Sequence, residues 1–290
     1  MNPAPGADQN APIPGRFLCC GRFRLALDRP LVMGVVNVTP DSFSDGGRFA
    51  TADAAIAHAH RLLDEGADIL DIGGESTRPG APPVDAATER ARIEPVLRAL
   101  MRADRPLSVD TRKPEVMAAA LDAGADMIND ICGFATEAAI AAVRSGTAAL
   151  CVMHMQGDPT TMQMAPVYRD VVSEVREFLY LRVQALQAAG VAHERIVVDP
   201  GIGFGKTQPQ NLLLLRSLRE LSDSPVLVGL SRKSLIGHLT GRSTAERLAG
   251  SLGGALGAIE RGASIVRVHD VAATRDLIAV WSAIAGPEKI

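Results

Sequence analysis

Aromatic residues are scarce: they make up 3% of the 290 residues, with a single tryptophan. Any large core must therefore be built from Ala, Val, Leu and Ile, and the 47% hydrophobic content is enough for one. Cysteine is sparse too. Cys19, Cys20, Cys132 and Cys151 form no CxxC pair and no Cys/His ladder, which argues against zinc and a disulfide scaffold. We read them as reduced, buried thiols. A strong charge of either sign is missing. With a formal net charge of −3 and dispersed basic residues, nucleic acid is not expected as a partner. No apolar run approaches the ~18 residues that span a bilayer. The first sixteen residues are rich in Pro, Gly, Asn and Ala and carry no apolar signal segment. The expectation is a cytoplasmic protein without a membrane partner. Residues 1–16 are expected to be a disordered extension. No linker or charge run divides 17–290, which read as a single domain.

Eight short apolar runs are present, and each ends in polar residues. We read strands at 32–37, 68–72, 107–110, 127–129, 149–153, 195–199, 226–230 and 265–268. Parallel strands covered on both faces read as apolar runs rather than alternating ones. Helical periodicity lies between them, at 53–64, 85–101, 114–122, 136–144, 168–188, 209–221 and 244–260, with a last helix at 272–284. Glycine punctuates the change from helix to strand, as in Gly66-Ala67-Asp68, Gly124-Ala125-Asp126 and Gly262-Ala263-Ser264. This rhythm is that of a βαβ series. Eight units favour a closed (β/α)8 TIM barrel, with the active site at the C-terminal strand ends. An open doubly wound sheet is the alternative. Residues 17–27 read as an N-terminal hairpin around Gly21 that plugs the bottom of the barrel.

Three nucleotide or hydrolase motifs fail. In Gly201-Ile202-Gly203-Phe204-Gly205-Lys206-Thr207 the first P-loop glycine falls on Pro200, and Lys206 replaces the third glycine of GxGxxG. Gly229-Leu230-Ser231-Arg232-Lys233 lacks the last glycine of a nucleophile elbow. The strand ends remain. Asp110, Asn129 or Asp199 taken singly would be a helix cap. Gathered on one rim, they form a hydrogen-bonding pocket suited to a flat heterocycle with an amino-pyrimidinone edge. Asn37 starts a long Gly-rich connection, and Arg78 follows a second one at Gly73-Gly74. Ser231-Arg232-Lys233 and Arg267-Val268-His269 put cations where such barrels often hold phosphate. His154 gains no role from the sequence.

Taken together, Met33-Gly34-Val35-Val36-Asn37 through Asp45-Gly46-Gly47, Gly73 to Gly80, Ser108-Val109-Asp110-Thr111, Asn129-Asp130, Asp199 to Lys206, Ser231-Arg232-Lys233 and Arg267-Val268-His269 resemble the dihydropteroate synthase family. The likeness covers about residues 30–270 in motif order. It implies that a pterin pyrophosphate and 4-aminobenzoate condense to 7,8-dihydropteroate, with Mg2+ as cofactor and sulfonamides as inhibitors. It implies pterin binding by Asp110, Asn129, Asp199 and Lys233, with catalytic weight on Asp110, Asp199 and Lys233. Asn37, Thr77, Arg78, Arg267 and His269 would hold pyrophosphate, with the metal at Asn37. Phe43, Pro79, Phe204, Ser231 and Arg232 would shape the aminobenzoate site. A homodimer is the implied assembly. Three rivals stay open on sequence alone: a pterin methyltransferase with a corrinoid partner, an inactive pterin-binding homologue, and an aldolase using Lys233 as a Schiff base.

Overall fold

The structure, a computed structural model, describes residues 16–39, 48–76 and 81–285. Strands β1 (Phe17–Cys20) and β2 (Phe23–Ala26) form an antiparallel hairpin. The barrel strands are β3 (Leu31–Asn37), β4 (Ile69–Gly73), β5 (Leu107–Asp110), β6 (Met127–Asp130), β7 (Ala149–Met153), β8 (Ile196–Asp199), β9 (Val226–Gly229) and β10 (Ala263–Val268). They close in the order β10-β3-β4-β5-β6-β7-β8-β9, and every neighbouring pair is parallel. The closed barrel, rather than the open sheet, is therefore the fold.

Helices follow the strands: α1 (Arg48–Asp64), α2 (Ala86–Leu100), α3 (Pro114–Asp122), α4 (Glu137–Val143), α5 (Val171–Ala188), α6 (Gln208–Arg216), α7 (Ser234–Thr240), α8 (Leu248–Ile259) and α9 (Val271–Ala285). Pro114 opens α3, where its missing N–H is no loss. Helix α7 differs from the sequence reading, which left 234–243 without an element. Its interior Gly237 weakens the helical signal, but that glycine has a packing reason: an added Cβ would lie 2.3 Å from Arg247 Nη2. The helix expected at 244–260 is a 3-10 turn at Thr244–Glu246 followed by α8. Among the described residues no helix is long and apolar enough to cross a membrane.

Strand pleating divides the core into two clusters. Val32, Leu70, Ile128, Leu150, Val198, Val228 and Val266 pack with helix residues such as Leu62, Leu97 and Leu179. The alternate positions Met33, Ile69, Met127, Ala149, Cys151, Val197, Leu227 and Ile265 pack with Leu18, Cys20 and Leu27 of the N-terminal segment. The hairpin thus seals the lower barrel interior. Gly21 seats it with φ 56°, and an added Cβ would meet Asp126 Oδ1 at 2.4 Å. The repeated Gly-Ala-Asp punctuation has a purpose here. Asp126 accepts from Arg22 Nε at 3.0 Å and from Leu107 N at 3.1 Å. Asp68 accepts from Arg29 Nη2 at 2.7 Å and from Val32 N at 2.9 Å. Burial pushes the Asp68 carboxyl up, but its hydrogen bonds outweigh this and hold it below the ordinary value. Arg16, expected in the extension, is described: its carbonyl accepts from Leu27 N at 3.0 Å. Residues 1–15 lie outside the described residues.

The four cysteines are free thiols. Cys20 and Cys151 are buried as expected, while Cys19 and Cys132 are half-buried.

Candidate active site

Parallel register sets the polar ring. Asn37 pairs with Gly73, Gly73 with Asp110, and Asp110 with Asn129. Across the barrel Asp199 pairs with Met153, and Arg267 with Gly229. These residues sit at the C-terminal ends of their strands, and Asp110, Asn129 and Asp199 are buried. Asn37 is half-buried. Its Oδ1 and Asp110 Oδ2 lie 3.9 Å and 4.0 Å from the point where a Gly73 Cβ would stand, so both oxygens border Gly73.

One residue at the centre of this ring was missed by the sequence reading. Asp71, fully buried, accepts from Arg267 Nε at 2.6 Å, Ser108 Oγ at 2.6 Å and Asn129 Nδ2 at 3.2 Å. The signal was available: a charge inside the apolar run Ile69-Leu70-Asp71-Ile72 is buried, and buried charges are paired. Arg267 Nη2 also donates to Asp110 Oδ2 at 2.9 Å. The guanidinium is thus held between two carboxylates. Burial pulls its pKa down, but the two carboxylates together outweigh this and raise it.

Two buried acceptors are left over. Among the described residues, Asp110 Oδ1 and Asn129 Oδ1 have no hydrogen-bond partner, although buried polar atoms nearly always have one. Burial pushes the Asp110 carboxyl up to about 7, against the pull of Arg267 and with help from Asp71. Burial also raises Asp199, which accepts from Gly201 N at 2.7 Å. Lys233 lies just before α7, and its Nζ donates to Ile202 O at 2.6 Å and stands 4.6 Å from the Phe204 ring centroid. Burial pulls the Lys233 ammonium down to about 8, with Asp199 opposing.

The strand 7–8 quarter is also connected. His269 N donates to Ser231 Oγ at 3.2 Å, and His269 Nδ1 lies 3.1 Å from the same oxygen. Arg232 is bound by Asp270 through two nitrogens, with Nε–Oδ2 at 3.0 Å. His154 is buried against Lys206. Phe43, Thr77, Arg78 and Pro79 lie outside the described residues. So the structure brings Asp110, Asn129 and Arg267 into one network and joins Lys233 to Phe204, while Arg232 is committed to a neighbouring carboxylate.

Comparisons with known proteins agree with this geometry. A family model described as pterin binding enzyme matches residues 33–269. A dihydropteroate synthase of Neisseria meningitidis serogroup B is 51% identical over 273 residues, covering 91% of this chain and 96% of its own. A Burkholderia cenocepacia dihydropteroate synthase solved with 7,8-dihydropteroate is 53% identical, with a TM-score of 0.85 over 93% of this chain and 96% of that one. A Xanthomonas albilineans dihydropteroate synthase with 4-aminobenzoic acid is 51% identical, with a TM-score of 0.89 over 93% and 98%. A Yersinia pestis dihydropteroate synthase with a sulfonamide drug is 43% identical, with a TM-score of 0.86 over 93% and 98%.

Proposed function

The chain belongs to the pterin-binding enzyme family, its activity is that of a dihydropteroate synthase, and we propose how its residues divide that work. The reaction joins 6-hydroxymethyl-7,8-dihydropterin pyrophosphate to 4-aminobenzoate and gives 7,8-dihydropteroate and pyrophosphate. The amine lone pair forms the new C–N bond at the pterin methylene. The C–O bond breaks, its electron pair leaves with pyrophosphate, and the amine loses one proton.

Asp110, Asn129, Asp199 and Lys233 bind the pterin. The observation that carries this assignment is the pair of buried, unpartnered oxygens, Asp110 Oδ1 and Asn129 Oδ1. A pterin edge presents N–H donors, which such acceptors need. As pyrophosphate departs, positive charge develops on the methylene, and the carboxylates of Asp110 and Asp199 stabilise it in a site of low dielectric. Arg267 and His269, with Asn37, Thr77 and Arg78, hold the pyrophosphate oxygens. Asp71 fixes the Arg267 guanidinium in place for this task.

Phe43, Pro79, Phe204, Ser231 and Arg232 form the aminobenzoate side. Arg232 reaches the aminobenzoate carboxylate only by leaving Asp270. Sulfonamides, which share the aminobenzene shape, compete at this position.

Mg2+ fits the donor chemistry at Asn37. Asn37 offers a hard oxygen, and among the described residues no group of three or more His, Cys, Asp or Glu gathers for a metal. An ion there would take most of its ligands from substrate phosphate and water, as magnesium often does. When bound, it neutralises charge on the leaving pyrophosphate.

Residues 17–290 form one domain in this reading, and the enzyme works in the cytoplasm as a homodimer. The exposed or half-buried apolar face of α8, with Leu248, Leu252 and Leu256, supports a two-copy assembly. Light scattering tests it, and a monomer mass at working concentration rejects it. The activity is tested by incubating the protein with the pterin pyrophosphate, 4-aminobenzoate and Mg2+. Pyrophosphate release should require the aminobenzoate. Release that ignores it, or none at all, overturns the assignment.

A further inference from the structure

After β8 the chain makes a glycine-rich turn whose five consecutive carbonyls, 201–205, each accept a side-chain hydrogen bond. Lys206 Nζ donates to Gly201 O at 3.0 Å and to Phe204 O at 2.9 Å. Lys233 Nζ donates to Ile202 O at 2.6 Å, Gln163 Nε2 to Gly203 O at 2.6 Å, and Tyr168 Oη to Gly205 O at 2.8 Å. A turn of this kind has no strand ladder to satisfy its backbone, so side chains must do it.

Lys206 supplies two of the five and is only 3% exposed. Its ammonium also meets His154 O at 3.2 Å and His154 Nδ1 at 3.0 Å. In its charged form Lys206 shares three N–H donors among these four acceptors and accepts nothing, so Nδ1 presents its lone pair, while burial pulls the ammonium down to about 7. Burial and the neighbouring Lys206 hold His154 neutral, with its pKa down at about 3. The imidazole is wedged edge-on against Phe178, with centroids 4.9 Å apart. Gly201 completes the fit: its φ is 66°, and an added Cβ would stand 1.9 Å from His154 O.

Burying an ammonium carries a large desolvation cost, offset only when its hydrogen bonds are made. Here the turn wraps around that ammonium, and the turn carries two groups of the site: the Phe204 ring and the Ile202 carbonyl that holds Lys233. We propose that Lys206, fixed by His154, is a positioning residue that shapes the 201–205 turn and so aims Phe204 at the aminobenzoate. The proposal rests on the dihydropteroate synthase reading above. Asp110 and Asn129 sit on strands and make no hydrogen bond to this turn, whereas Asp199 accepts from Gly201 N and Lys233 donates to Ile202 O. With half of its binding groups independent of the turn, the pterin should be affected less than the aminobenzoate.

The test uses the full chain, after the unaltered enzyme has been shown to turn over. Lys206→Met keeps the side-chain length and removes the donors. We expect the KM for 4-aminobenzoate to rise about tenfold, while the KM for the pterin pyrophosphate changes less than about threefold. His154→Leu should shift the same ratio in the same direction by about threefold, since three carbonyls still hold the ammonium. Circular dichroism and thermal melting establish that each variant is folded. A folded Lys206→Met enzyme with an unchanged aminobenzoate KM overturns the proposal, as do two KM values that rise together. If Lys206→Met does not fold, an unchanged ratio in His154→Leu overturns it instead. An inactive unaltered enzyme would count against the reaction, not against this role.

Discussion

On β4, β6, β8 and β10, inward positions one pleat apart carry opposite chemistry. Ile69, Met127, Val197 and Ile265 lie low, against the hairpin. Two residues further along the same strands stand Asp71, Asn129, Asp199 and Arg267. The lower layer is apolar and sealed, and the charges that anchor its plug, Asp126 and Asp68, are matched by Arg22 and Arg29. The upper layer is polar and incomplete, with Asp110 Oδ1 and Asn129 Oδ1 unpartnered among the described residues. A closed apolar layer contributes stability through burial, whereas a polar layer with unmet hydrogen bonds is poised to bind a molecule that supplies them.

This contrast predicts where function and stability separate. The largest effect is expected for Arg267→Met, which leaves the buried Asp71 without its counter-charge, held only by Ser108 and Asn129. It should cost about 3–5 kcal/mol of stability by denaturant titration, and turnover should fall as well. Retention of both would show that the upper network does not depend on Arg267. Asp199→Asn should keep the fold and lower kcat/KM for the pterin substrate about 10²–10³-fold. Kinetics like those of the unaltered enzyme would remove Asp199 from the mechanism.

Asp126→Ala is the converse test in the lower layer. It leaves the Leu107 N–H without its carboxylate and should cost about 1–3 kcal/mol, with both KM values unchanged. A changed KM would show that the two layers are coupled.

The fourth expectation concerns pH. Asp110 must be ionised to accept from the pterin, and its carboxyl is pushed up to about 7 by burial. So kcat/KM for the pterin pyrophosphate should fall as pH drops below about 7, approaching tenfold per unit. As Lys233 deprotonates near about 8, a second limb should fall on the alkaline side. A profile flat across this range would break both assignments. For stability the sign is the reverse: a carboxyl raised in the folded state favours folding when protonated. Its contribution weakens as pH climbs from the ordinary 3.8 to about 7. The smallest effect belongs to the outer surface. Removing the Arg90–Glu94 pair on α2 should change stability by no more than about 0.5 kcal/mol and leave catalysis untouched.

Much of this arrangement is legible from the chain. The runs at 107–110 and 149–153 and the helix at 114–122 have the same bounds in the structure, because apolar runs, Gly stops and Pro114 are local signals. Asp110, Asn129 and Asp199 could be picked out because they close apolar runs. Asp71 escaped because it sits inside one. Helix α7 escaped because Gly237 serves the distant Arg247 rather than the helix. His154 read as a lone histidine because its partner, Lys206, lies 52 residues away in sequence.

Local patterns along the chain specify the eight strand–helix units, the polar residues at their ends and the kinship those residues carry. Such features come from period, punctuation and side-chain type, each confined to a few neighbouring residues. Which of those ends meet is set by the closing of the barrel. The fold pairs Arg267 with both Asp71 and Asp110 and wraps a turn around Lys206. Barrel closure brings residues more than a hundred positions apart within hydrogen-bonding distance, as Arg267 and Asp110 are. No local pattern encodes a contact that exists only once the last strand lies beside the first.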